Sequence, residues 1–389
     1  MVIDPRIEAL ADEVTLWRRD FHANPEILYD VVRTARIVAE KLRAFGCDEV
    51  VNGIGQTGVV GIIHGRNGPG GRVVGMRADM DALPISEETN LPHASRISGK
   101  MHACGHDGHT AMLLGAAKHL AATREFDGSV AVIFQPAEEG GAGGKAMVDD
   151  GMMERFNIAE VYGMHNMPGL APGHFATRTG PIMAATALFE IVIEGRGAHA
   201  AKPHEGIDPV MIGGHLLMAL QTIASRNIDP LKSVVVSTTI FQAGEATNVI
   251  PQRATLKGTI RTLDLHVRET VEKRLHALVD GVARMFGAQI HLDYQRRYPA
   301  TINHPAQTET SAAIARAVAG ADGVADTIEP TMGGEDFSYM LLARPGSFIF
   351  IGNGETAGLH HPAYDFNDKI IPAGIQYWTL IAQKSGLPV

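Results

Sequence analysis

A chain of 389 residues, 45% apolar and 20% charged, can bury at least one sizeable core and is comfortable as two domains. Its formal net charge of −9, with no Lys/Arg block, argues against a nucleic-acid partner, and no apolar run is long enough to cross a bilayer. Two cysteines, Cys47 and Cys104, indicate no disulfide framework, so a reducing, cytoplasmic setting is expected.

The opening MVIDPRIEALADEVTLWRRDFH reads as an amphipathic helix with interleaved charges, without the apolar stretch of a signal peptide. Cys47, after Gly46 in a helix-ending stretch, reads only as a small semi-buried residue. Residues 72–85 (RVVGMRADMDALPI) begin as an apolar β-type run and end in charge; residues 128–140 and 159–168 repeat that pattern. Between the first two lies an Ala- and Leu-rich helix pattern over 107–125, and GSFIFIGN (346–353) is a further buried strand. Apolar strands separated by helices predict an α/β layer around a mostly parallel sheet.

The middle differs. Residues 188–195 alternate, 208–226 are helical, 233–244 and 253–264 form two strands, 266–288 a second helix and 289–299 a closing strand. That order, β-α-β-β-α-β, is the split arrangement of a ferredoxin-like unit. An inserted domain is therefore expected at 181–293, dividing a catalytic domain into 1–180 and 294–389.

The ligand-type residues sit where strands end. Asp79 and Asp81 follow VVGM, Glu138 and Glu139 follow AVIF, His165 follows VYGM, and the His360-His361 pair follows FIFIGN and its loop. In an open α/β sheet, sites form beyond the carboxyl ends of the strands, so these groups should converge. Cys104 and His106 lie in MHACGHDGH, which packs three histidines, a cysteine and an aspartate into nine residues. Thiolate, imidazole and carboxylate together suit zinc or another borderline divalent ion. Two adjacent glutamates ending a core strand are costly unless they bind a cation or do chemistry. One can ligate while its neighbour serves as general base, the division of labour that amide hydrolysis needs. His165 alone reads equally as a core histidine, and either His360 or His361 fits the ligand.

The motifs MRADMDALPI, MHACGHDGH, FQPAEEGGAGGKAM, VYGMHNMP, GRGAHAAKPHEGIDP, NVIP, GTIRTLD, MGGEDFSYM and LHHPAYDF occur in one order and closely resemble the aminoacylase / hippurate hydrolase / indoleacetyl-amino-acid hydrolase family, within the dinuclear-metal peptidases and amidohydrolases. The resemblance runs from HANPE (22–26) nearly to the end and implies a metallohydrolase catalytic domain with an inserted lid and dimerisation domain. It implies two divalent metal ions, zinc foremost, with manganese, cobalt or nickel able to serve. Cys104 would bridge them; His106, Glu139, His165 and His360 match the other ligands, His360 fitting better than His361. Glu138 matches the general base, and Asp81, with Asp79 or Asp107, the groups that orient imidazoles, although Asp107 reads equally as a helix cap. His199 resembles a histidine, often delivered by a partner subunit, that stabilises the oxyanion. Asn248 and Arg261 match substrate contacts, and Gly333 and Gly334 a close-approach loop. Arg261 also reads as an ordinary strand residue, and the glycine pair as a turn.

The implied reaction is hydrolysis of a small N-acyl amino acid to a carboxylic acid and a free amino acid, in a homodimer or homotetramer. Val31 and Val32 stand where relatives carry a glutamate and a polar residue, a change expected to reshape the acyl pocket. Two rivals remain: a dipeptidase or carboxypeptidase of the same superfamily, which mostly has aspartate as bridging ligand, and a non-catalytic metal- or ligand-binding protein, for which Glu138 has no use.

Overall fold

The computed structural model describes residues 1–69 and 71–384, which form two compact units; residues 385–389 of the expected catalytic segment lie outside the described residues. The first unit comprises Met1–Ile182, Ile302–Glu329 and the chain from Asp336 onward; the second comprises Met183–Thr301 with Pro330–Glu335.

The first unit is built on an eight-stranded sheet. Its strands run in the order Glu49–Ile54, Gly58–His64, Ser129–Gln135, Val73–Asp79, Ile158–Pro168, Gly346–Gly354, Phe175–Ala176 and Val324–Ala325. The four central strands, Ser129–Gln135 to Gly346–Gly354, are parallel to one another. They are buried almost throughout, which is why they read as continuous apolar runs rather than alternations. Glu49–Ile54 and Gly58–His64 extend the sheet antiparallel. Helices His106–Thr123, Ile371–Lys384 and Ala11–Ala23 pack together, and most of His106–Thr123 is buried. The amino-terminal helix is in fact two, Pro5–Glu8 and Ala11–Ala23.

The two unusual valines differ in burial. Val31 is fully buried in the core of the first unit, while Val32 is exposed. Val31 offers no side-chain cap to the helix Val32–Phe45. The Glu26 carboxylate takes that place, accepting the N–H groups of Arg33 at 3.0 Å and Thr34 at 2.7 Å. A cap of this kind contributes about 1 kcal/mol.

The second unit carries a four-stranded antiparallel sheet in the order Val234–Ala243, Arg253–Thr262, Ala185–Glu194, Gln289–Arg296. Helices Pro209–Thr222 and Leu265–Phe286 start at Asp208 and Asp264, whose carboxylates accept first-turn amides. They pack Leu216, Leu220, Val271 and Leu275 against Phe189, Ile191, Ile193, Leu256 and Ile260. The strict alternation of burial along Ala185–Glu194 and Arg253–Thr262 follows from one face being covered. Chain order and strand order together make this a ferredoxin-like split β-α-β-β-α-β arrangement. Among the described residues, no helix is long and apolar enough to cross a membrane.

Candidate metal centre

The ends of the central strands bring the ligand-type side chains together. Asp79 closes Val73–Asp79, Glu138 and Glu139 follow Ser129–Gln135, His165 lies near the end of Ile158–Pro168, and His106 opens His106–Thr123. Cys104, His106 and His165 present donor atoms within 4.8 Å of one another, as do Cys104, Glu139 and His360, and also His106, Glu138 and Glu139. Cys104 belongs to two of these groups. Its Sγ lies 3.3 Å from His165 Nε2, and Glu139 Oε1 lies 3.3 Å from His360 Nε2 and 4.0 Å from His106 Nε2.

Backbone groups decide which ring nitrogen faces inward. His106 Nδ1–H donates to the Asp81 carbonyl at 2.7 Å, and His165 Nδ1–H donates to the Asn166 carbonyl at 2.7 Å. Each Nε2 is thereby left as a lone-pair donor toward the cluster. The Asp81 carboxylate brackets the glutamate turn, one oxygen accepting Glu138 N–H at 2.9 Å and the other Glu139 N–H at 3.1 Å. Ala137 (φ 55°) and His360 (φ 63°) are non-glycine residues held in the left-handed region beside the site, a strain that persists where the surroundings impose it. His360 is fixed by its N–H donating to the Ala103 carbonyl at 2.8 Å; His361 instead folds its Nδ1 onto the Ala363 N–H at 3.0 Å. Gly105 (φ 90°) must be glycine, because a Cβ there would stand 2.2 Å from Asn166 Nδ2.

The electrostatics are those of a site short of positive charge. Burial pushes the Cys104 thiol well above its ordinary range, and the charges of Glu139, Glu138 and Asp79 push it further. For His106, burial acts downward, but Asp79 and Asp81 prevail and raise it to about 10. Burial and the neighbouring His109 hold His165 well below the usual histidine range. His106 Nε2 and Glu139 Oε1 are buried without a directed hydrogen-bond partner. Orphaned donors, a thiol and clustered carboxylates fit divalent cations, whose charge would reverse the upward shifts of Cys104 and His106 and deprotonate the thiol.

The remaining aspartates differ in what they touch. Asp107 contacts His22 Nδ1 at 2.9 Å and Arg18 Nη1 at 3.6 Å. Asp79 is gripped by Arg77 and His109. Asp81 alone meets the backbone of both glutamates, and its carbonyl orients a ligand-type imidazole. Sequence reasoning passed over Arg77, His109, Asn166 and Tyr364. For His109 a signal was present: it stands three residues after His106 on a helix, hence on the same face.

In the second unit, His199 is exposed in the strand pair Ala198–His199 with Val249–Ile250. Its Nδ1 accepts Ala201 N–H at 3.0 Å, so the neutral ring carries its proton on Nε2. The Asn248 carbonyl accepts Ala200 N–H at 3.0 Å. Arg261, half-buried, donates Nη1 to Thr259 Oγ1 and to the Ile260 carbonyl. The Gly333 carbonyl accepts Ala184 N–H at 2.9 Å, and a Cβ on Gly334 would meet Thr186 Cγ2 at 2.5 Å, so close packing within this unit already requires that glycine.

A profile of Peptidase family M20/M25/M40 matches residues 75–384. The chain belongs to this family. Among its relatives, the M20 chain is 39% identical to a hippurate hydrolase of Campylobacter jejuni over 384 residues, covering 99% of both. It is 40% identical to thermostable carboxypeptidase 2 of Saccharolobus solfataricus, covering 97% of this chain and 96% of the relative. A crystal structure from Bacillus subtilis, described as a dinuclear metal binding peptidase from the M20 family, superimposes with a TM-score of 0.83 at 34% identity, covering 96% of this chain and 98% of that one. M20 membership agrees with a site whose donor groups suit two divalent ions.

Proposed function

We propose that this M20 chain is a cytoplasmic, zinc-dependent amidohydrolase that cleaves the amide bond of N-acyl amino acids. The observation that carries the reading is the pair of unlike glutamates. Both glutamates, on the same Asp81-held turn, stand with His106, but only Glu139 also stands with Cys104 and His360, which leaves Glu138 outside that second donor group. Cys104, common to two donor groups, is assigned the bridging position, with His106, Glu139, His165 and His360 as the other ligands. Bound divalent ions supply Lewis acidity and lower the pKa of a water.

Glu138 takes the proton of the attacking water as its oxygen bonds to the acyl carbon, and returns it to the nitrogen as the C–N bond breaks. His199 donates its Nε2–H to the oxyanion, and Arg261 with Asn248 receives the substrate's carboxylate end. The Gly333-Gly334 pair is assigned to the same substrate site as a close-approach loop. We assign the second unit as lid and dimerisation domain, with a homodimer as the working assembly. The relatives support this reading, a hippurate hydrolase among them.

The test is a panel of hippurate, N-acetyl amino acids and dipeptides on metal-reconstituted protein, with elemental analysis of the same sample. Turnover of acyl amino acids above dipeptides is expected. Turnover of dipeptides alone would establish the carboxypeptidase-like alternative, and no turnover at full metal content would leave a binding protein.

A further inference from the structure

Beneath the donor cluster runs a chain of buried polar groups to which the proposed reaction assigns no task. Arg77, fully buried, donates Nη1 to Asp79 Oδ2 at 2.7 Å, Nε to Gln135 Oε1 at 2.9 Å and Nη2 to Asp336 Oδ1 at 3.0 Å. On its other side Asp79 Oδ1 accepts His109 Nδ1–H at 2.7 Å. His109 Nε2 in turn accepts the Asn166 N–H at 2.9 Å, which fixes the tautomer. Asn166 spans Cys104 and the carboxyl-terminal loop, donating Nδ2 to the Cys104 carbonyl at 2.6 Å and accepting Tyr364 Oη–H at 2.7 Å.

Asp79 is the anomaly of this chain. Its Oδ2 lies only 3.6 Å from His106 Nε2, and Asp79, His106 and His109 themselves satisfy a ligand-type spacing. Two donors on one tetrahedral ion, each about 2.1 Å from it, stand roughly 3.4 Å apart. By distance alone Asp79 is within reach of an ion on His106. His109 has both ring nitrogens engaged, so it is no ligand. Both oxygens of Asp79 are engaged as well, and a guanidinium on Oδ2 opposes a dication approaching the same atom. We propose that Arg77 and His109 are positioning residues that hold Asp79 back from the metal pair, keeping an extra carboxylate out of the donor set. An added oxygen ligand raises coordination number and shifts preference from zinc toward harder ions such as manganese.

The inference rests on the metal assignment proposed above and is tested on the full chain reconstituted with Co2+, Zn2+ or Mn2+. Visible absorption of the cobalt form reports coordination number, and its thiolate charge-transfer band reports Cys104. Asp79→Asn is expected to keep the parent spectrum. Arg77→Met and His109→Phe are expected to weaken the visible bands and to move zinc-over-manganese preference by about tenfold toward manganese. Adding Asp79→Asn to either release variant is expected to restore the parent spectrum. Weaker ligation in Asp79→Asn itself, or an unchanged spectrum and metal preference on release, overturns the inference. Where the release variants do not fold, the Asp79→Asn spectrum decides it alone. Absence of the thiolate band from the parent overturns the metal assignment instead, so the two failures are distinguishable.

Discussion

Asp81 offers the sharpest test of how the glutamate turn is held. Its two oxygens accept the successive N–H groups of Glu138 and Glu139, and it is itself buried. Asp81→Ala leaves both amides without these acceptors; the buried Glu138 N–H left unpaired costs about 1–3 kcal/mol and the part-buried Glu139 N–H less, so a stability loss of about 2–4 kcal/mol is expected. Asp81→Asn keeps one acceptor and turns an NH2 toward the other amide, so it should fall between parent and alanine variant. The functional cost follows from geometry: Ala137 at φ 55° holds the turn in strain, and releasing the bracket lets the turn relax. A displacement of Glu138 by about 1 Å costs on the order of a hundredfold in turnover. Urea unfolding gives the first quantity; kcat and KM on the best acyl amino acid, with metal content in parallel, give the second. Wild-type stability and turnover in Asp81→Ala would refute the bracket. A loss confined to KM would place Asp81 in substrate binding instead.

Glu138→Gln is expected to retain metal and to lose at least about a hundredfold in kcat, the lower end of a general base's contribution; elemental analysis and steady-state kinetics check it, and full activity would remove Glu138 from its role. Cys104→Ala should bind less metal, with unchanged content contradicting the bridging assignment. His22 gives a pH prediction: burial pulls its pKa down, but Asp107 and Glu87 raise it to about 9 from an ordinary 6.5. Its stabilisation, about 3 kcal/mol at most, is therefore complete below about pH 6.5 and lost as pH climbs through about 9. Urea unfolding at both ends of that window should show the loss in the parent and little of it in His22→Gln; identical pH dependence in the two would dismiss the network.

The parts of the site legible in the sequence were those carried by local pattern. A buried strand is a continuous apolar run, and a charged residue at its end is conspicuous, so Asp79, Asp81, the glutamate pair and His165 stood out against their surroundings. Cys104 and His106 were conspicuous through their density in one short segment. Apart from His109, whose helical spacing from His106 was a usable signal, what escaped notice has no local mark. Arg77 sits inside a strand run, and only its partners on Gln135 and Asp336, distant in sequence, make it part of the site. The helix cap is a related case: Val31 packs in the core, and the carboxylate that caps the following helix comes from Glu26, several residues earlier. The ferredoxin-like order was legible because one-sided burial prints alternation on strands. The antiparallel strands Glu49–Ile54 and Gly58–His64 at one side of the sheet went unread, since short Gly-containing runs resemble loops.

The central strand Gly346–Gly354 lies between Ile158–Pro168 and Phe175–Ala176, yet it is made nearly two hundred residues after the first of them. A ribosome releases this chain amino end first, so the large sheet must wait with an open seam until its late strand arrives. The second unit, drawn mainly from one continuous stretch, can close in the meantime. His360 follows the late strand, so the proposed donor set is complete only after Gly346–Gly354 has been made. Before then the emerging chain shows Cys104, His106 and His165 without His360, and the strand that closes the seam is also the one that brings the last proposed donor.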